Sequence, residues 1–498
     1  MSSSPNEFPV PRAAPTRRDA LARLLRLAWP ASLSYLLSSA YRINDQYWIQ
    51  GIGPDAQSAI AAAMFVAIAN FALPFLAAAG ALSLVSRAMG AGDEAAARHA
   101  SRHALGLAVA LGVAMALIGP LLTAPVARLL ALEGGTAQLF TEYLDALFRT
   151  APVLFAIPVL DHVFIGRGRT FAPMLLQALA VSLNFVLNPL AIYGTGTRAA
   201  LPDAPFAAWF DAAAGALSVE ELGLGALGVG GAAWATGASR GIALLLGLWW
   251  LRRTTGTSLR PRLGLDRELL ARLVRISTPV SLSIAFYAFV YWALFAFVLS
   301  DLGDDVKAGL GIGFQVFEGV AYPTFLGLSM AASSLIGHAL GARDAAALER
   351  TLDVSKRTLL AAGIFFALAF AALAEPVAAV FSASEEVQRE VVLYVRILAL
   401  SQVFVAFESL WDKVLTASGH TRALAWIGGL GNLARLPLSY VAVTHLGWGA
   451  AGVWWAINLT TVAKAFGLWR VVELGGWRRD LDPVTSSDAE DEATLPRG

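Results

Sequence analysis

Arg42 and Asp45 stand three residues apart in "SSAYRINDQYWIQ", inside an apolar stretch that starts near Leu27. A charge at membrane depth costs a few kcal/mol, and this spacing puts both side chains on one face of a helix. Two chemistries fit Asp45. It is a carboxylate that takes a proton or a cation, or it is half of a buried ion pair with Arg42. Glu318, Glu408, Arg435 and Lys464 interrupt other apolar runs in the same way. Glu408 is either a second cation-binding carboxylate or the counter-charge of Arg435. Glu318 closes "GFQVFE", with Gln315, Phe314 and Phe317 nearby. An acidic group among aromatic rings suits an organic cation, because ring faces also attract positive charge. A pair with Lys464 is the competing reading. Asp161 and Asp412 read as anchors near helix ends, and His162 as an interfacial hydrogen-bonding group.

These residues need elements to hold them. The chain has 498 residues, 57% hydrophobic and 15% charged, with a mean hydropathy of +0.61. Soluble domains carry roughly a quarter charged residues. Apolar runs of membrane-crossing length, about 20 residues, recur from residue 28 to residue 472. Twelve helices are expected near 28–50, 58–86, 103–125, 147–166, 171–194, 223–251, 276–300, 308–336, 358–382, 394–417, 422–445 and 449–472. The first is expected to be a retained helix rather than a cleaved signal, since no small-residue cleavage site follows it. The absence of cysteine excludes disulfides and thiol chemistry. A net charge of +1 suggests no nucleic-acid partner, so the surroundings are membrane lipid. An even number of helices puts both termini on one side. The tails and loops of that side hold 26 of the 37 Lys and Arg, and the opposite side holds six. That bias predicts cytoplasmic termini.

The two halves of the chain repeat one another at an offset near 250. "LAWPASLS" (27–34) matches "ISTPVSLS" (276–283), and "LVSRAMGAGDEAAARHA" (84–100) matches "LIGHALGARDAAALERT" (335–351). "VLDHVFIGRGRT" (159–170) matches "LWDKVLTASGHT" (410–421), and "LNFVLNPL" (183–190) matches "GNLARLPL" (431–438). The offset falls to 221 at Trp234 and Trp455, so the first half carries an extra outer segment, 195–221, expected to include a short interfacial helix. The predicted organisation is an N-terminal segment (1–27), an N-lobe (28–251), an interlobe linker with a surface helix (252–275), a C-lobe (276–472) and a tail (473–498). The fold class is all-α integral membrane: twelve transmembrane helices in two pseudo-symmetric six-helix lobes. In duplicated bundles of this kind, substrate and ion sites lie near mid-membrane and the lobes rock about them.

These motifs resemble the multidrug and toxic compound extrusion (MATE) family. "NDQYWIQGIGPDAQSAIAAA" is similar to the family's helix 1 pattern, with Gln50 where the family usually has Gly. "YPTFLGLSMAASSLIGHALGARD", "LNFVLNPLAIYG" and "LGVGGAAWAT" look like its helices 8, 5 and 6. The resemblance covers residues 25–475. It implies a secondary transporter that exchanges inward H⁺ or Na⁺ for organic, often cationic, compounds, with no other cofactor. It also implies a coupling set of Asp45, Asn184, Asn188 and Thr236, which would ligate the ion directly if that ion is Na⁺. Asn188 stands where related branches have a second Asp, which removes one negative charge. One branch places a coupling carboxylate at the position of Glu408, and its second carboxylate falls here at Tyr287. The expected substrate-contacting group is Arg42, Tyr287, Gln315, Phe317, Glu318 and Arg435.

Other classes leave no such trace. "GLGALG" (223–228) fits a dinucleotide glycine pattern, but no strand precedes it. No metalloprotease motif occurs, and no acid-rich metal motif of a membrane transferase, so an enzyme is not expected. A lipid or lipid-linked glycan flippase, the nearest rival, would line its cavity with more Arg and Lys. The expectation is a monomeric, multi-pass drug exporter of the cell (inner) membrane whose partners are a small organic compound and H⁺ or Na⁺.

Overall fold

A computed structural model describes residues 16–49, 51–194, 225–257, 266–382 and 384–481. The extra outer segment 195–221 lies outside the described residues. Twelve helical passes follow in order: α1 (Arg17–Ile49), α2 (Pro54–Phe71, then Phe75–Gly90), α3 (Glu94–Leu129), α4 (Gly134–Arg149, then Ala151–Gly166), α5 (Phe171–Tyr193) and α6 (Gly228–Thr255). The second half gives α7 (Arg267–Phe297), α8 (Asp304–Ile312 and Gly319–Gly341, joined by a π-turn), α9 (Ala345–Phe381) and α10 (Glu385–Ala399, then Gln402–Ser418). It closes with α11 (a π-turn, Gly429–Leu433 and Arg435–Thr444) and α12 (Gly449–Glu473). Both α4 and α10 bend in mid-pass, by 54° and 56°.

Among the described residues, five helices are long and apolar enough to cross a membrane, or eight if each bent pair is one span. The passes that fall short are α1, α6, α11 and α12. They carry Asp45, Thr236 and Arg240, Arg435, and Lys464 respectively. In α11 the shortfall is one of length, since its α-helical pieces have 5 and 10 residues; in α1, α6 and α12 polar side chains within the helix lower the hydropathy.

The repeat is visible in the helix caps. Asp93 accepts from the Ala96 amide at 2.8 Å and Asp344 from the Ala347 amide at 2.9 Å. Each satisfies a donor that a helix start leaves free. Two segments differ from their predicted form. The segment expected to form a surface helix is the opening of α7, which runs unbroken from Arg267 to Phe297. The polar lead-in before residue 27 is likewise continuous with α1. Backbone hydrogen bonding propagates through a polar stretch at little cost, whereas hydropathy stops at it.

The lobes meet on the side of the N-terminus. Ser83 of α2 donates to the Ala417 carbonyl of α10 at 3.0 Å, and Ser334 of α8 donates to the Ile165 carbonyl of α4 at 2.6 Å. The two serines occupy equivalent repeat positions, and their acceptors lie one residue out of register. His338 reaches the Gly166 carbonyl at 2.8 Å, and Gly337 lies so close to Ser86 that a Cβ would collide with its hydroxyl. Small residues of this kind let membrane helices approach closely.

Candidate functional site

In the N-lobe, Asp45 is 9% exposed and lies near the C-terminal end of α1. Asn188 Nδ2 donates to Asp45 Oδ1 at 2.8 Å. Asn184, one turn earlier on α5, donates from Nδ2 to Thr236 Oγ1 of α6 at 3.2 Å. The structure thus brings together α1, α5 and α6 through the four residues Asp45, Asn184, Asn188 and Thr236. Pro189 removes one backbone donor from α5 here, since it cannot donate to the carbonyl one turn back. Asp45 forms no ion pair with a described side chain. The side chain of Arg42 lies outside the described residues. Asn188 Oδ1 is buried without a partner, which leaves one acceptor open directly beside the carboxylate.

Asn44 belongs to this group and was not singled out in the sequence. Its Nδ2 donates to Asn184 Oδ1 at 2.8 Å, and its Oδ1 accepts from Trp48 Nε1 at 2.9 Å. Tyr193 in turn donates to the Trp48 carbonyl. An amide in an apolar run was the available signal, and the adjacent aspartate drew attention from it. Deeper in the lobe, the Arg240 guanidinium lies 4.4 Å from the centre of the Tyr41 ring.

The C-lobe pairs its charges. Lys464 Nζ lies 2.7 Å from Glu408 Oε1 and 2.9 Å from Asn432 Oδ1. Its stem crosses Gly431, where a Cβ would collide with it. Lys464 therefore takes Glu408 and not Glu318, and Arg435 does not neutralise Glu408. Instead Arg435 donates to Thr460 Oγ1 at 3.1 Å and to Thr461 Oγ1 at 3.2 Å. Glu318 Oε1 accepts from Gln402 Nε2 at 3.1 Å. The π-turn of α8 (Gly313–Glu318) turns neighbouring residues in different directions. Phe317 is buried against Phe370 of α9, with centroids 5.0 Å apart, and Gln315 is exposed. Neither stands with Arg435. It is Phe314 that meets Tyr291, at 5.8 Å, and Tyr291 packs against Tyr287 at 4.6 Å with the rings tilted by 40°. Asn432, Gln402 and Tyr291 are further members that sequence reasoning missed. Asn432 had been matched to Asn184 as a repeat position, which was the signal for it.

The remaining candidates are local. Asp412 pairs with Lys413 at 2.8 Å and accepts from Thr416 at 3.2 Å. His162 is bonded to the Pro158 carbonyl at 2.7 Å. No group of three or more His, Cys, Asp or Glu among the described residues could hold a metal ion.

A sequence profile of the MatE family matches residues 30–190 and again 279–441. The double match has an offset of about 250, which is the internal repeat seen from outside. Multidrug export protein MepA of Staphylococcus aureus is 23% identical over 460 residues, covering 91% of this chain and 93% of its own. The probable multidrug resistance protein NorM of Thermotoga maritima is 24% identical over 443 residues, covering 86% and 87%. Among solved structures, a MATE protein in complex with MaL6 superposes with a TM-score of 0.80 at 22% identity, covering 94% of this chain and 98% of that one. A transporter of the MOP superfamily from Pyrococcus furiosus, described as having a binding pocket of reverse polarity, superposes at 0.79 with 22% identity and the same coverage.

Proposed function

This chain belongs to the MatE family, and from that premise we propose that it is a cation-coupled antiporter that expels organic, cationic or amphipathic compounds by alternating access. The observation that carries the reading is Asp45, a buried carboxylate with an amide donor, no ion pair among the described side chains and an open acceptor beside it. An isolated buried charge is costly, so binding a cation or a proton changes the energy of the whole α1–α5–α6 contact. When Asp45 is charged, Asn188 donates to it. When it carries a proton, its hydroxyl donates, and the Asn188 oxygen can receive it after the amide turns over. That exchange reorients α1 against α5.

The donor set bears on the ion. Asp45 and Asn188 offer one free oxygen each, while the Asn184 oxygen is taken by Asn44 and Thr236 already accepts a bond. Hard cations take about six oxygen ligands. The count supports H⁺ over Na⁺. The coupling can be no larger than the difference in ion affinity between the two states of the transporter. Bonding of the lobes on the N-terminal side supports an outward-facing state, with that side cytoplasmic by its basic residues and the cell inner membrane as its place. One chain carries both lobes, so a monomer suffices. Asp45→Asn is expected to abolish drug resistance in cells lacking other pumps. Wild-type resistance from a well-expressed D45N variant would remove Asp45 from the mechanism. Dye efflux from vesicles under an imposed pH gradient, set against an imposed Na⁺ gradient, decides the ion.

A further inference from the structure

The C-lobe contains a cation that its own carboxylates do not neutralise by contact. Arg435 is 3% exposed. Its Nε and Nη2 are held by two neutral hydroxyls, Thr460 and Thr461, and its Nη1 is buried with no partner. Among the described residues, Glu408 is already paired with Lys464 and Asp412 with Lys413. A guanidinium fixed at two nitrogens, with the third free, presents a donor whose direction is set in advance. Beside it stands an aromatic wall. The Tyr291 ring centre is 5.8 Å from the guanidinium carbon, and Phe314 and Tyr287 flank that ring. Tyr287, Tyr291 and Glu318 are half-buried, so this wall has an accessible rim. Glu318 stands in the field of Arg435 without touching it.

We propose that Arg435 is an anion-binding residue that receives the carboxylate of amphoteric aromatic substrates, with the Tyr291–Phe314 wall against their ring system and Glu318 facing their positive nitrogen. The proposal rests on the efflux reading above and narrows it to compounds that carry both signs of charge. A guanidinium is suited to carboxylates because its planar N–H groups match their geometry. Loss of a charge-assisted hydrogen bond weakens binding by about 10- to 100-fold.

The test uses two dyes that differ only in this group: rhodamine 110, with a free benzoate, and rhodamine 123, its methyl ester. Binding to the purified full chain is followed by fluorescence polarisation. Arg435→Gln is expected to weaken rhodamine 110 by about 10- to 100-fold and to leave rhodamine 123 essentially unchanged. Arg435→Lys keeps the charge and loses the fork, so it should weaken rhodamine 110 by less and also spare the ester. If R435Q does not fold, R435K decides. Equal weakening of both dyes, or of neither, overturns the proposal. So does a chloride-dependent melting temperature that R435Q abolishes while both dyes bind as before, which assigns the guanidinium to a halide. Wild-type protein that binds the ester but not the acid overturns the proposal and leaves the efflux reading standing. Wild-type protein that binds neither dye and exports neither removes both.

Discussion

Asn184 and Asn432 occupy the same position in the two repeats, and their oxygens receive different partners. Asn184 Oδ1 accepts from the neutral amide of Asn44. Asn432 Oδ1 accepts from the ammonium of Lys464, which also holds Glu408. One backbone arrangement thus supports an open carboxylate in the N-lobe and a self-neutralised one in the C-lobe. A carboxylate whose cation is supplied by its own chain has no vacancy for an ion from solution. The comparison teaches that duplication preserved the scaffold while the interior chemistry diverged, and it is the reason the coupling proposed above is assigned to the lobe whose described carboxylate has no ammonium on it.

The most direct way to break this contrast is to remove both carboxylates in turn. Asp45→Asn should reduce export to the level of cells without the transporter. Glu408→Gln combined with Lys464→Met removes the C-lobe pair as a unit and should leave gradient-driven dye efflux in vesicles near wild type. If the double variant loses its response to the imposed gradient while D45N keeps it, the assignment of coupling to the N-lobe is reversed.

The next effect concerns stability. Lys464→Met alone strands Glu408 and the Asn432 oxygen. Breaking one partner of a buried pair costs about 3–5 kcal/mol. Glu408 retains some exposure at 25% of its side chain, which places the loss toward the lower end of that range. The double variant should recover most of it. Thermal unfolding of the two variants in detergent checks the difference, and equal melting temperatures would mean that the ammonium is not held by Glu408. In the N-lobe, Asn44→Leu removes the donor to Asn184 Oδ1 and the acceptor of Trp48 Nε1. An unsatisfied buried group costs about 1–3 kcal/mol. The same unfolding measurement should therefore show a smaller drop than K464M.

Much of this architecture could be read from the chain. Hydropathy locates the passes, and matched motifs such as "GAGDE" and "GARDA" place equivalent aspartates at equivalent helix starts. The gathering of Asp45, Asn184, Asn188 and Thr236 needed the family resemblance, because residues 45, 188 and 236 lie far apart in sequence. The partner of Lys464 could not be read at all. Glu318 and Glu408 are both acidic groups in apolar runs, and only the packing of α12 against α10 separates them. The π-turns in α8 and α11 add a residue per turn and shift the phase of every side chain after them. Adjacency in sequence sets Phe317 beside Glu318, but neighbouring residues of a helix face different ways, and the fold buries Phe317 in the core and turns Phe314 to Tyr291.

The smallest effect lies outside the membrane, where the chain passes from one lobe to the other. Asp266 caps α7 by accepting from the Leu269 amide at 2.9 Å, and it pairs with His99 of α3 at 3.0 Å. His103 accepts from the Asp266 amide at 3.3 Å, so this one residue ties the start of the C-lobe to the N-lobe. The cap bond first, and His99 second, hold the Asp266 carboxyl below the ordinary carboxylate range. A carboxylate shifted in this direction contributes stability above its unfolded value and loses it as pH falls through the folded one. Wild type should therefore lose this contribution only under acid conditions, whereas Asp266→Asn should lack the charge-dependent part at every pH. Melting curves of the two proteins are expected to lie slightly apart at neutral pH and to converge as acid protonates Asp266. Curves that stay parallel into the acid range would show that the cap acts without its charge.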